Sequence, residues 1–223
     1  MTVHPDRTSH YLEKFAFLGY ALKVMVFDRA SGCSQLSDHN PDIRREIYEN
    51  TKTCIKVGMD LGNDYVMVLQ EDVVLTDNRQ MSESTASALT FMYSNPAADM
   101  FMFGTHPFSF HMGTSVVGIV RFLYAFHWQA VLFRVSSLAK FIELPCNMHS
   151  DLYFARMMLK RKIFCYGLLV PVARQDSSGR LIRKYEYDLF YKSRSKFPCG
   201  DPLPLIVIAV FLLFGCSWYY HIW

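Results

Sequence analysis

The sequence predicts an α/β domain, its sheet flanked by helices, with a transmembrane helix at the carboxyl end. Segments with helical spacing alternate with short apolar runs, the pattern of one α/β domain. One run, Tyr65-Val66-Met67-Val68-Leu69, leads straight into Gln70-Glu71-Asp72 and a second apolar triplet, Val73-Val74-Leu75. An uninterrupted Val/Leu/Met run reads as a strand covered on both faces, the kind found at the centre of an α/β sheet. Finally, the last 21 residues, 203–223, carry no formal charge apart from a possible His221.

The elements follow in order. Residues 8–19 predict a helix, because Tyr11, Leu12, Phe15 and Leu18 recur at helical spacing and Gly19 suits the position after a helix end. Residues 21–27 are strand-like and end at Asp28-Arg29. Asn40-Pro41-Asp42 supplies an N-cap, a proline at the first helical position and an early acid. The helix that follows carries Ile43, Ile47, Cys54 and Ile55 on one side and ends near residues 58–62. The run at 65–75 is then the central strand. Asp77 or Ser82 starts another helix, which Asn95-Pro96 breaks. Residues 99–104 are a second buried-type strand, 105–113 a loop rich in Phe, His and Gly, and 129–135 a further strand. Ser136 caps a short helix over 137–144, which Pro145 stops. Ser150-Asp151 opens a helix to about Lys160, and a strand pair is expected at 163–166 and 168–171. The division expected is a domain at 1–180, a polar juxtamembrane segment at 181–202 and an anchor at 203–223.

Composition narrows the function classes. The 223 residues are 51% hydrophobic with a formal net charge of +3. That charge is too small to argue for nucleic acid, and no basic tract is interleaved with aromatics. The six cysteines show no CxxC pair and no zinc spacing, so they read as buried thiols of a reducing compartment. His106, His111, His127 and His149 lack the HExxH pattern and read as loop or core histidines; GxSxG, P-loop and GxGxxG patterns are also missing. The amino terminus has no apolar h-region. About 20 apolar residues span a bilayer, and Trp218, Tyr219, Tyr220 and Trp223 cluster at the far end as an interfacial belt would. Lys192, Arg194 and Lys196 lie on the near side with no Lys or Arg beyond. The expected topology is a single-pass carboxyl-terminal anchor with the main domain cytosolic.

The acidic pair carries the chemistry. Two carboxylates, Glu71 and Asp72, at the carboxyl end of a buried strand sit where open α/β sheets place their ligands. Acids there hold a divalent metal and, through it, a phosphate. The plainer reading is a strand end whose acids face water or cap the next turn.

Beyond the pair, the order of pieces resembles the glycosyltransferase family 25 type, the lipopolysaccharide-biosynthesis and procollagen-galactosyltransferase group. Asp6-Arg7 match its early Asp-Arg, and Phe27-Asp28 with Gly32 its second strand end. Leu69-Gln70-Glu71-Asp72-Val73 falls on its Leu-Glu-Asp-Asp-Val core. The stretch from Gln129-Ala130-Val131-Leu132-Phe133-Arg134 to Leu138-Ala139 resembles a later segment, with Asp151 matching the acid after it. Pro171-Val172-Ala173-Arg174-Gln175 with Ser177-Ser178 matches its Pro-x-x-x-Gln and serine. The resemblance implies a GT-A fold and transfer of sugar from a nucleotide-sugar donor to a glycan, lipid or protein acceptor. It implies Mn²⁺ or Mg²⁺ held by Asp72 with Glu71, and Asp151 as base on the acceptor hydroxyl or as a sugar contact. Arg7 and Asp28 would lie near the nucleotide, with Gln70 and Glu71 beside it and Gln175 near the diphosphate or acceptor. Two departures stand out: Gln70 replaces the first acid of the core, and only Met1 to Pro5 remain for the family's first strand. A relative that has lost catalysis and acts as a membrane-tethered binding protein is the competing expectation.

Overall fold

A computed structural model of the chain describes residues 5–26, 41–70, 72–104, 109–125, 129–137, 139–142 and 150–175. The elements are α1 (Thr8–Phe15), α2 (Pro41–Asp60), β1 (Tyr65–Leu69), β2 (Val73–Leu75), α3 (Asn78–Ser94), β3 (Met100–Met102), β4 (Phe110–Gly113), β5 (Ile119–Tyr124), β6 (Ala130–Arg134), α4 (Ala139–Ile142), α5 (Ser150–Leu159), β7 (Cys165–Leu168) and β8 (Ala173–Gln175). Six strands form one mixed sheet in the order β1-β6-β3-β7-β5-β4, and β2 pairs with β8 in a separate ribbon. Within the large sheet β3 and β7 are parallel and the other neighbours antiparallel.

Alternation along the strands splits the core in two. Val68, Met100, Met102, Val131, Phe133 and Cys165 face a layer with Ile55 of α2 and Phe154 and Met158 of α5. Phe101, Leu132 and Tyr166 face the other way, onto Tyr11 and Phe15 of α1, Met81, Ala88 and Met92 of α3, and the β2–β8 ribbon. The protein is thus a mixed α/β sandwich with helices on both faces of the sheet. Met100, Phe101, Met102 and Phe103 are all buried; burial of such side chains stabilises by about 1.5–3 kcal/mol each.

Local sequence explains several ends. Gly19 takes a left-handed φ of 72° and donates its N–H to Ala16 O, closing the turn after α1. Asp77 caps α3, its carboxylate accepting from Gln80 N at 2.8 Å. The far end of α3 is capped by a side chain from another strand. The Arg134 guanidinium donates to Met92 O, to Asn95 O at 3.0 Å and to Ala98 O at 2.8 Å, and lies over the Tyr65 ring. Beside it, Asp99 is 1% exposed. Its carboxylate pairs with Lys140 Nζ at 2.7 Å and accepts from Phe164 N at 2.8 Å.

The sheet corrects four expectations. The run at 65–75 is two strands separated by a turn. Its first half, β1, is a half-buried edge strand among the described residues, paired on one side with β6. The apolar run therefore reports one buried face plus a cover of partly buried Tyr65, Met67 and Leu69 on the other. Residues 21–25 form no sheet strand, and Val26 makes only an isolated bridge. Leu22 and Val24 pack on the α1–α3 layer, so the alternation seen there marks an extended covering segment. The loop expected at 105–113 contains β4, which forms a hairpin with β5. The strand pair expected at 163–171 is one strand, β7, in the large sheet, followed by β8 in the ribbon. The helices expected at 8–19, from Pro41, from Asn78 and from Ser150 are all present, while that at 137–144 is a 3-10 turn, Val135–Ser137, followed by α4. No helix among the described residues is long and apolar enough to cross a membrane; residues 203–223 lie outside them.

Asp99→Ala leaves Phe164 N without its acceptor and Lys140 without its counter-ion. We expect a loss of about 3 kcal/mol, the lower part of the range for breaking a buried pair, because Lys140 is half-exposed. Chemical denaturation of the full chain measures it. Arg79→Ala, which breaks the exposed Arg79–Glu83 pair, should leave the midpoint unchanged.

Candidate functional site

β1, β3 and β7 run in the same direction, since β1 and β3 are each antiparallel to β6 and β7 is parallel to β3. Their carboxyl ends share one edge of the sheet, and the Gln70-Glu71-Asp72 turn lies there. Gln70 N donates to Gln129 O at 2.9 Å, extending the β1–β6 ladder by one pair. Val73 N then donates back to Gln70 O at 3.1 Å. That closes a four-residue turn and lifts the chain out of the sheet into the ribbon.

The ribbon brings distant sequence to the turn. In β2–β8, Val73 stands opposite Gln175 and Leu75 opposite Ala173. The ribbon is held against the end of β3, where Phe103 O accepts from both Val172 N at 2.9 Å and Ala173 N at 3.1 Å. Gly104 makes that approach possible: a Cβ there would lie 2.0 Å from Ala173 O. From the other side, Lys14 Nζ of α1 donates to Val73 O at 2.8 Å. An ammonium group is thereby held one residue from Asp72. Sequence reasoning missed Lys14, whose only signal was a cation between the buried Tyr11 and Phe15 on α1.

The sequence-predicted residues divide accordingly. Gln70, Asp72 and the backbone of Gln175 come together at the turn. Asp72 is half-buried and already engaged in an interaction. Asp151 is the second residue of α5. A link of five residues, 160–164, joins α5 to β7, so α5 runs back against the strands and its amino-terminal turn lies toward the same carboxyl edge. Arg7 is not brought to the turn: it is exposed, precedes α1, and stands about 10 Å along the helix axis from Lys14. Asp28 and Glu71 lie outside the described residues, as do Gly32 and Ser177-Ser178.

Among the described residues no three His, Cys, Asp or Glu side chains converge as a metal cage. The turn contributes Asp72, with Glu71 adjacent in sequence. One or two carboxylates suit an ion that takes its remaining ligands from a bound diphosphate and water. Cys165, on β7, offers no thiolate. Burial first, and then the Asp99 charge, push the Cys165 thiol well above its usual range, so it stays protonated. His111 stacks edge-on against Phe122 in the β4–β5 hairpin, away from the turn in sequence and sheet order.

Gly104→Ala drives a methyl group into the Ala173 carbonyl, a backbone atom that moves only if β8 moves. We expect a cost of at least about 1–3 kcal/mol, read from thermal unfolding, together with new protease sensitivity near residue 175.

The chain matches no protein-family model and no curated protein, so the geometry of this turn is what an assignment stands on.

Proposed function

We propose that the chain is a glycosyltransferase of GT-A type that moves a sugar from a nucleoside-diphosphate sugar to a glycan, lipid or protein hydroxyl. The observation that carries this reading is the β2–β8 pairing. Asp72 and Gln175 are about a hundred residues apart in sequence, and the ribbon sets Gln175 opposite the residue after Asp72. Both are residues that the sequence resemblance singles out.

In this reading Asp72 and Glu71 hold a Mn²⁺ or Mg²⁺ ion, which supplies positive charge to the leaving nucleoside diphosphate. Lys14 adds a second positive charge beside the turn. Gln70 contributes a neutral hydrogen-bonding amide where the resembling family has an acid, and Gln175 lies on the diphosphate or acceptor side. Asp151 takes the proton from the acceptor hydroxyl as its oxygen bonds to the sugar carbon, or else binds the sugar. Arg7 and Asp28 flank the nucleotide. Residues 203–223 anchor the chain in a membrane with this domain on the cytosolic side. The competing reading, a tethered protein that binds nucleotide sugar without transfer, is favoured by Gln70, since an amide brings no charge to a metal.

Calorimetry with UDP and GDP, with and without Mn²⁺, tests the reading on the full chain. We expect metal-dependent binding of one nucleotide. Asp72→Asn should weaken it by more than the ~10–100-fold typical of outer-shell partners, with unchanged thermal unfolding. Metal-independent binding, or full affinity in Asp72→Asn, would sink the site. Turnover over an acceptor panel separates transferase from binder. Deleting 203–223 should move the chain from the membrane to the soluble fraction.

A further inference from the structure

Gln129 is the least explained side chain in the core. It is 3% exposed, and its Oε1 is sealed from solvent with no hydrogen-bond partner. Leaving a buried amide carbonyl unpaired costs about 1–3 kcal/mol. The other such atom among the described residues, Arg121 Nε, belongs to a guanidinium stacked 4.6 Å from the Phe164 ring centroid, which offers its charge an aromatic face. Among the described residues Gln129 has no comparable contact, so a reason for this carbonyl lies outside the packing.

Its position says where. Gln129 stands opposite Gln70 in the continued β1–β6 register. Val66, Val68, Val131 and Phe133 face the α2–α5 layer, and by alternation Gln70 and Gln129 belong to that same face. The amino-terminal turn of α5, with Asp151, lies toward this edge on this side of the sheet. Two opposed amides therefore sit at the carboxyl edge on the α2 side, on the face away from the β2–β8 ribbon, while α5 packs over β5, three strands along from β6.

The chemistry restricts the ligand. An amide oxygen accepts and does not donate, as do the oxygens of an ionised diphosphate, so Gln129 Oε1 does not bind the phosphates. Its partner must bring an O–H or N–H donor, of which a sugar offers hydroxyls. We propose that Gln129 is a donor-binding residue whose Oε1 accepts a hydrogen bond from a hydroxyl of the transferred sugar. This rests on the nucleotide-sugar reading of the turn and assigns the sugar to the α2 side of the sheet, beside Gln70, with the diphosphate at Asp72.

The test is Gln129→Met in the full chain, a swap of similar volume without the polar atoms. Thermal unfolding is measured without ligand. Binding is then measured by calorimetry with UDP-glucose, UDP-galactose, GDP-mannose, UDP and GDP, all with Mn²⁺. Removing an orphaned buried carbonyl should leave the melting temperature unchanged or raise it. Binding of the preferred nucleotide sugar should weaken roughly tenfold, while the matching nucleoside diphosphate binds as before. A melting temperature several degrees lower would show that the fold itself satisfies Gln129, and would overturn the proposal. So would undiminished sugar-nucleotide binding, or an equal loss for the diphosphate alone, which would move Gln129 to the base or ribose. Those outcomes leave the nucleotide site standing; a wild-type chain that binds none of the five compounds removes the nucleotide-sugar reading itself, and this assignment with it.

Discussion

Asp99 is the residue on which the arrangement of the sheet depends. Its backbone N–H donates to Phe164 O and its carbonyl accepts from Arg134 N, while its carboxylate holds Lys140 and Phe164 N. One position thus fixes the amino end of β3 against the entry to β7 on one side and the exit of β6 on the other. A buried carboxylate is tolerated only where charge and hydrogen bonds replace the lost water, and both are supplied here by residues far apart in sequence. Arg134 completes the lock by capping α3 and lying over Tyr65, so the edge strand and the helix are tied to the same corner. The exposed Arg79–Glu83 pair, of similar length, sits on the α3 surface and organises nothing beyond its own turn.

The opposite edge is built on other terms. At the carboxyl ends of β1 and β3 the chain leaves the sheet for the β2–β8 ribbon, Phe103 O serves two donors, and Gly104 admits the crossing backbone. A half-buried acid, an ammonium group on a backbone carbonyl and an orphaned buried amide gather there. Polar groups at the amino edge satisfy one another, whereas at the carboxyl edge Gln129 keeps an unfilled acceptor. In the proposed reading the ligand lies at this edge, where open α/β sheets hold theirs, and the amino edge is the packed base of the sheet.

Helices were legible in the sequence because their signals are local. Gly19 at the end of the first helix, Asp77 before α3 and Pro41 at the head of α2 each act within a turn of where they stand. The four-three-four spacing of Met81, Thr85, Ala88 and Met92 likewise names the buried face of α3. Strands were less legible. The alternation of Leu22 and Val24 is what a strand shows, yet those residues cover a helical layer. The run at 65–75 is continuous in hydropathy and broken in space, because the turn at Gln70 changes the partner from β6 to β8. The β4–β5 hairpin escaped notice since His111 and Arg121, polar in composition, pack against Phe122 and Phe164 through their ring and planar faces.

The sequence by itself determined the α/β class, the helix ends and the acidic turn after an apolar run, since these follow from side-chain periodicity, backbone preference and charge within a few residues. Only the tertiary structure decided that β1 is an edge strand among the described residues, that Gln175 faces Val73, that Lys14 reaches the turn and that Gln129 is buried with an empty acceptor. Each of these is a pairing between segments separated by tens of residues or more. Such pairings are set by which apolar faces pack together and which buried polar atoms find partners, quantities that no local window of the chain contains.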